Sequence, residues 1–80
     1  MAAFKNKIIP VIFGLHGQFL NNDEIKLIKN NKIYGFIIFE RNILNLVQLK
    51  KLIKHIKSIS PNDPLIMIDH EGGRVNRFNK

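Results

Sequence analysis

Along the chain, short runs of consecutive apolar residues alternate with longer stretches in which apolar residues recur every three or four positions. The runs read as strands and the stretches as amphipathic helices. At 65–68, Leu65, Ile66, Met67 and Ile68 include no polar member, the pattern of a strand covered on both faces. A second run, 33–39, is aromatic and β-branched and is broken only by Gly35. In the first run, 8–15, Pro10 cannot donate to a ladder, so the spacing predicts a strand over 11–15 that begins after it. Asn21 or Asn22 is expected to cap a first helix, with Asp23 and Glu24 in its first turn, where the helix dipole favours negative charge. Asn30 and Asn31 are expected to end it. Asn45 followed by Gln48 has the spacing of a capping box. Beyond it, Leu46, Leu49, Leu52, Ile53, Ile56 and Ile59 form one apolar stripe, with Lys50, Lys51, Lys54 and Lys57 on the wet side and His55 exposed among them. Pro61 and Pro64 bracket the turn into the last strand. The order is β-α-β-α-β, with parallel strands, right-handed crossovers and both helices on one face. Eight such units would close a barrel of roughly 250 residues. The fold class expected is therefore α/β, the first three βα units of a (β/α)8 TIM barrel, an incomplete βαβαβ fragment that occupies residues 1–80 as one piece.

Composition narrows the partners. Eighty residues allow one small domain with a marginal core. The absence of cysteine excludes a disulfide scaffold and a thiolate metal site. A net charge of +7 and a pI near 10.1 would ordinarily point to nucleic acid or an anionic membrane. Lysine, isoleucine and asparagine are abundant throughout, however, which is the signature of AT-rich coding rather than of a binding face, and no nucleic-acid partner is expected. Lys5 and Lys7 ahead of an apolar run imitate a secretion signal. The run is short, contains Pro10 and leads to His16, Gly17 and Gln18 instead of a small-residue cleavage site, so a cytoplasmic location is expected. No stretch approaches the roughly 18 apolar residues of a membrane span, and no membrane partner is expected.

A second class of function competes. Residues 32–39 are close to the RNP1 pattern, which suggests a small RNA-binding module of the RRM type using Tyr34, Phe36 and Phe39. The segment before 33 has room for one helix, but not for the helix and antiparallel strand that a βαββαβ order requires.

The chemistry concentrates after residue 68. Asp69, His70 and Glu71 follow the apolar run at once, Gly72 and Gly73 free the backbone, and Arg74 and Arg77 come next. A carboxylate at the carboxyl end of a buried parallel strand sits where α/β sheets place their ligand sites. Asp69 could equally cap a turn or pair with Arg74. Asp69, His70 and Glu71 do not read as a metal site, because adjacent residues on one turn diverge; no metal and no cofactor is expected.

The order of these residues adds more than their types. Asp69, Glu71, Gly72, Gly73, Arg74, Val75, Arg77 and Phe78 spell D-x-E-G-G-R-V-x-R-F, which resembles a signature of glycoside hydrolase family 3, in particular its bacterial β-N-acetylhexosaminidase branch. Residues 35–39 with Arg41 and Asn42 are similar to the G-x-x-L-F-x-R-N segment of that family, Ile38 replacing the leucine, and Gln48-Leu49 match its second helix start. The resemblance covers nearly the whole chain, as the amino-terminal part of such an enzyme. It implies a retaining glycosidase that removes terminal β-linked N-acetylglucosamine from cell-wall turnover fragments in the cytoplasm. Asp69 and Arg77 would then hydrogen-bond the terminal sugar, a small saccharide ligand. Arg41, Glu71, Gly72, Gly73 and Arg74 would have supporting roles, with Arg41 a buried ion-pair partner. The nucleophile and the acid/base, which retaining chemistry holds about 5–5.5 Å apart, would lie on loops beyond the third strand. The 80 residues therefore contain no catalytic residue, and the chain alone is expected to be inactive unless the remainder of the barrel is supplied on another chain.

Overall fold

The computed structural model describes residues 7–70 and 74–77. Three parallel strands, β1 (Ile9–Gly14), β2 (Ile33–Ile38) and β3 (Leu65–His70), lie side by side in chain order, linked by helices α1 (Asn22–Asn30) and α2 (Leu46–Ile59). A short 3-10 turn, Glu40–Asn42, follows β2. A fourth strand, β4 (Arg74–Arg77), runs antiparallel beside β3.

Register explains the packing. Phe13, Phe36 and Ile66 are successive partners across β1, β2 and β3 and so share one face. That face is covered by the helices: Phe36, Ile38 and Ile66 are buried with Ile28 of α1 and Leu49, Leu52, Ile53 and Ile56 of α2. Phe13 meets Phe36 edge to face at 6.1 Å, an arrangement that sets the positive ring edge against the negative ring face. The other face carries Ile12, Gly14, Ile37 and Met67. These four are exposed or half-buried, and no described helix crosses that face.

Three sequence expectations change. β1 begins at Ile9 and includes Pro10, which is tolerated because β1 is an edge strand and the missing N–H costs no ladder bond. The register of β1 against β2 shifts between Ile9 and Ile12. Strand β3 continues past Ile68 through Asp69 to His70, since β4 gives those residues a pairing partner. The RRM alternative fails on topology and on burial: β1 and β2 are parallel neighbours, and Phe36 lies in the core beneath the helices instead of on a free sheet face. Phe39 lies beyond the end of β2, and of the three aromatic residues only Tyr34 is exposed.

Candidate functional site

Parallel strands end together, so the segments after β1, β2 and β3 meet at one edge of the sheet. The first of these segments is fastened from within by side chains of α1 and of the segment after β2. Asn42, fully buried, donates from Nδ2 to Leu15 O at 3.2 Å and to Gly17 O at 2.7 Å, while its Oδ1 accepts from Phe39 N at 2.8 Å. Gln48, also buried, donates from Nε2 to Gln18 O at 2.6 Å and to Asn42 O at 2.9 Å. Glu24 approaches from α1: one carboxylate oxygen accepts from His16 N at 2.9 Å and the other from Asn21 N at 3.0 Å. Buried polar side chains must find partners. Here the partners are mostly backbone groups of residues 15–21, so the loop carrying His16 is fixed although His16 itself is exposed.

The caps differ from the sequence reading in an informative way. The reciprocal box belongs to α1, where Asn21 Oδ1 accepts from Glu24 N at 2.8 Å and Glu24 returns the bond. At α2, Asn45 Oδ1 accepts from Gln48 N at 2.8 Å, but Gln48 Oε1 accepts from Leu44 N instead of Asn45 N. That shift by one residue frees the Gln48 amide to reach across to the first loop.

Arg41 is exposed and, among the described residues, forms no ion pair, contrary to the buried ion-pair partner expected. Its position in the 3-10 turn points the guanidinium back over the sheet edge. Nη2 donates to Leu15 O at 2.9 Å, and the guanidinium lies 4.8 Å from the centre of the Phe39 ring. The cation is thus held by a carbonyl and an aromatic face. Gly14 makes room for this pair, since a Cβ there would lie 3.3 Å from the Phe39 ring.

Asp69 stands three residues before Gly72, at the same edge. It is half-buried, and its Oδ1 is shut from solvent with no hydrogen-bond partner among the described residues. A buried carboxylate oxygen left unsatisfied costs about 1–3 kcal/mol, and stored cost of this kind concentrates at binding sites. In register, Asp69 is opposite Val75 and Met67 is opposite Arg77, so β4 brings the backbone of Arg77 alongside the strand that carries Asp69. Arg74 is paired with His70. Glu71, Gly72 and Gly73 lie outside the described residues. No group of three metal-ligating side chains gathers among the described residues. No helix among them is long and apolar enough to cross a membrane.

Chemically, the edge combines a half-buried carboxylate, an aromatic ring, an exposed guanidinium and a rigid backbone loop. This is the equipment of a site for a neutral, hydroxyl-rich ligand on an α/β sheet. The comparisons with known proteins agree in class. No protein-family model matches the chain. It is 42% identical over 69 residues to a beta-hexosaminidase of Psychromonas ingrahamii, a match that covers 86% of this chain and 20% of that protein. A beta-hexosaminidase of Thioalkalivibrio sulfidiphilus is 39% identical over the same share of each. Among solved structures, NagZ of Neisseria gonorrhoeae superposes with a TM-score of 0.70 at 39% identity, again over 86% of this chain and 20% of that one. It has been crystallised in complex with N-trifluoroacetyl-D-glucosamine and with zinc ion. The chain thus resembles an amino-terminal segment of these enzymes and spans about a fifth of their length.

Proposed function

We propose that the chain forms the first three βα units of a (β/α)8 barrel of glycoside hydrolase family 3 and carries the sugar-binding part of a β-N-acetylhexosaminidase site. On this reading, Asp69 accepts from the hydroxyls of a terminal N-acetylglucosamine and Arg77 donates to the same sugar. Arg41, Arg74, Glu71, Gly72 and Gly73 shape the surroundings. The single observation that supports it most is the half-buried Asp69 carboxylate at the carboxyl end of β3, whose Oδ1 has no hydrogen-bond partner among the described residues. The similarity to a NagZ crystallised with a glucosamine derivative supports the ligand class.

Binding and chemistry then reside on different strands. The face bearing Ile12, Ile37 and Met67 is the inner wall of the barrel, and the nucleophile and acid/base come from loops of the later units, in a partner chain or a continuation. The cellular role is cytoplasmic recycling of cell-wall fragments. The test is turnover of a chromogenic N-acetylglucosaminide by the chain alone, by the chain mixed with the remaining units of a similar beta-hexosaminidase, and by the same mixture with Asp69→Asn. Activity is expected only in the mixture and is expected to fall at least a hundredfold with Asp69→Asn, the scale of several kcal/mol lost from the transition state. Hydrolysis by the chain alone that disappears in Asp69→Asn would overturn the reading. Asp69→Asn is expected to leave thermal stability unchanged or raised, because no protein donor loses a partner.

A further inference from the structure

The outward side of α2 opens with an apolar tip. Phe19, Leu44, Leu46 and Val47 are each between 60% and 65% exposed. The buried Gln48 amide joins their segments, since it donates to Gln18 O at 2.6 Å and accepts from Leu44 N at 2.7 Å. The first loop and the residues ahead of α2 therefore meet at the helix start. Single exposed apolar residues are ordinary, whereas a group of them marks an interaction surface.

Basic side chains continue the same side. Val47, Lys50, Lys51 and Lys54 follow at i, i+3, i+4 and i+7 and so share one helical face, turned away from the buried stripe of Leu49, Leu52, Ile53 and Ile56. All three lysines are exposed, and no carboxylate occurs between Asn42 and Asn62. The rise from Val47 to Lys54 is about 10 Å at 1.5 Å per residue, comparable to the depth of roughly 5–10 Å at which interfacial helices bury their apolar groups. With the tip at that depth, the lysines stand level with the headgroups. Two such faces brought together would oppose their lysines, which disfavours a second copy of the chain. Three of the four tip residues are aliphatic and offer no platform for stacked bases, which disfavours nucleic acid.

We propose that this end of α2 docks peripherally on an anionic lipid surface, the apolar tip entering the headgroup layer and Lys50, Lys51 and Lys54 meeting its phosphates. The sequence expectation of no membrane partner rests on the lack of a span, which peripheral docking does not need. The proposal is independent of the saccharide reading. The chain has no tryptophan, so Val47→Trp places a single reporter at the tip and Ile12→Trp places one on the open sheet face. With vesicles of phosphatidylcholine and phosphatidylglycerol, the full 80-residue chain carrying Val47→Trp is expected to shift its emission to the blue, and that carrying Ile12→Trp to stay unchanged. Lys50→Gln, Lys51→Gln and Lys54→Gln together are expected to weaken vesicle co-sedimentation about a hundredfold, at about fivefold per lysine. Lys7→Gln, Lys26→Gln and Lys29→Gln together leave the same net charge and are expected to cost less than about fivefold. Equal losses in the two triple variants, equal binding to phosphatidylcholine alone, or a shift at Ile12→Trp as large as that at Val47→Trp would overturn the proposal. A blue shift of Val47→Trp without vesicles, which would indicate a second copy, or one with an oligonucleotide in their place, would overturn it as well.

Discussion

Replacing Asn42 by leucine tests the view that one buried amide organises the ligand-facing edge. The two side chains share the same branched four-atom skeleton, leucine being the bulkier, so the change removes hydrogen bonds without opening a cavity, and any overpacking adds to the loss. Three bonds go: those to Leu15 O, Gly17 O and from Phe39 N. Leu15 O keeps Arg41 as a donor, which leaves Gly17 O and Phe39 N as the orphans. Each orphaned group costs about 1–3 kcal/mol when water cannot reach it. Both bonds are only part-buried, which favours the lower half of that range, so a total of about 2–4 kcal/mol is expected. A domain of this size has roughly 4–12 kcal/mol in all, at 0.05–0.15 kcal/mol per residue. The loss is therefore a large fraction of the fold's stability. Urea unfolding followed by circular dichroism should show the midpoint falling by about 1–2 M for a slope near 2 kcal/mol/M. Asn45→Ala, which deletes one part-buried cap bond, should cost only about 1 kcal/mol by the same measurement. An Asn42→Leu chain no less stable than Asn45→Ala would refute the argument, because the loop would then be held by something other than Asn42.

Two further outcomes follow from the same geometry. Glu24→Gln keeps one acceptor oxygen but sets an amide N–H against either His16 N or Asn21 N; a loss of about 1–3 kcal/mol and faster hydrogen exchange at His16 are expected, and unchanged exchange would show that the carboxylate does not hold the loop. Gly35→Ala would place a Cβ 3.0 Å from the Leu65 carbonyl oxygen, a backbone atom that cannot swing aside. The strands must part locally, at a cost of about 1–3 kcal/mol, and a wild-type thermal midpoint would count against the register of β2 on β3.

The strands and helices were legible in the sequence because their signals are local. Uninterrupted apolar runs gave β2 and β3, and asparagine caps gave the starts of α1 and α2 within a residue. The polar fastening of the edge was not legible, because it joins residues far apart in sequence. Glu24 looks like a dipole-favoured surface carboxylate and Gln48 like half of a local box; both are buried and reach the first loop, Gln48 across thirty positions. Asn42 stands in the segment similar to a family motif, but nothing around it says that it is buried. Arg41 was misplaced for the opposite reason: its partners are a carbonyl and a ring, which the pattern of charges does not reveal. The hairpin of β3 and β4 did have a signal, a glycine pair between two extended segments, which was outweighed by reading the glycines as a ligand loop.

That hairpin bears on how the sheet can grow. Strand β4 occupies the hydrogen-bonding edge of β3 from Met67 to His70 and leaves Leu65 and Ile66 without a partner on that side among the described residues. A new strand arriving in parallel finds its first two rungs vacant and the rest already taken. It can add only by starting at the amino-terminal end of β3 and displacing Arg77 first, then Asn76, Val75 and Arg74 in turn. Until that exchange happens, the hairpin acts as a removable guard on an otherwise adhesive border, and assembly with a complementary set of strands becomes a branch migration with a direction. Covalently fixing β4 to β3 should then slow such assembly without weakening the isolated sheet.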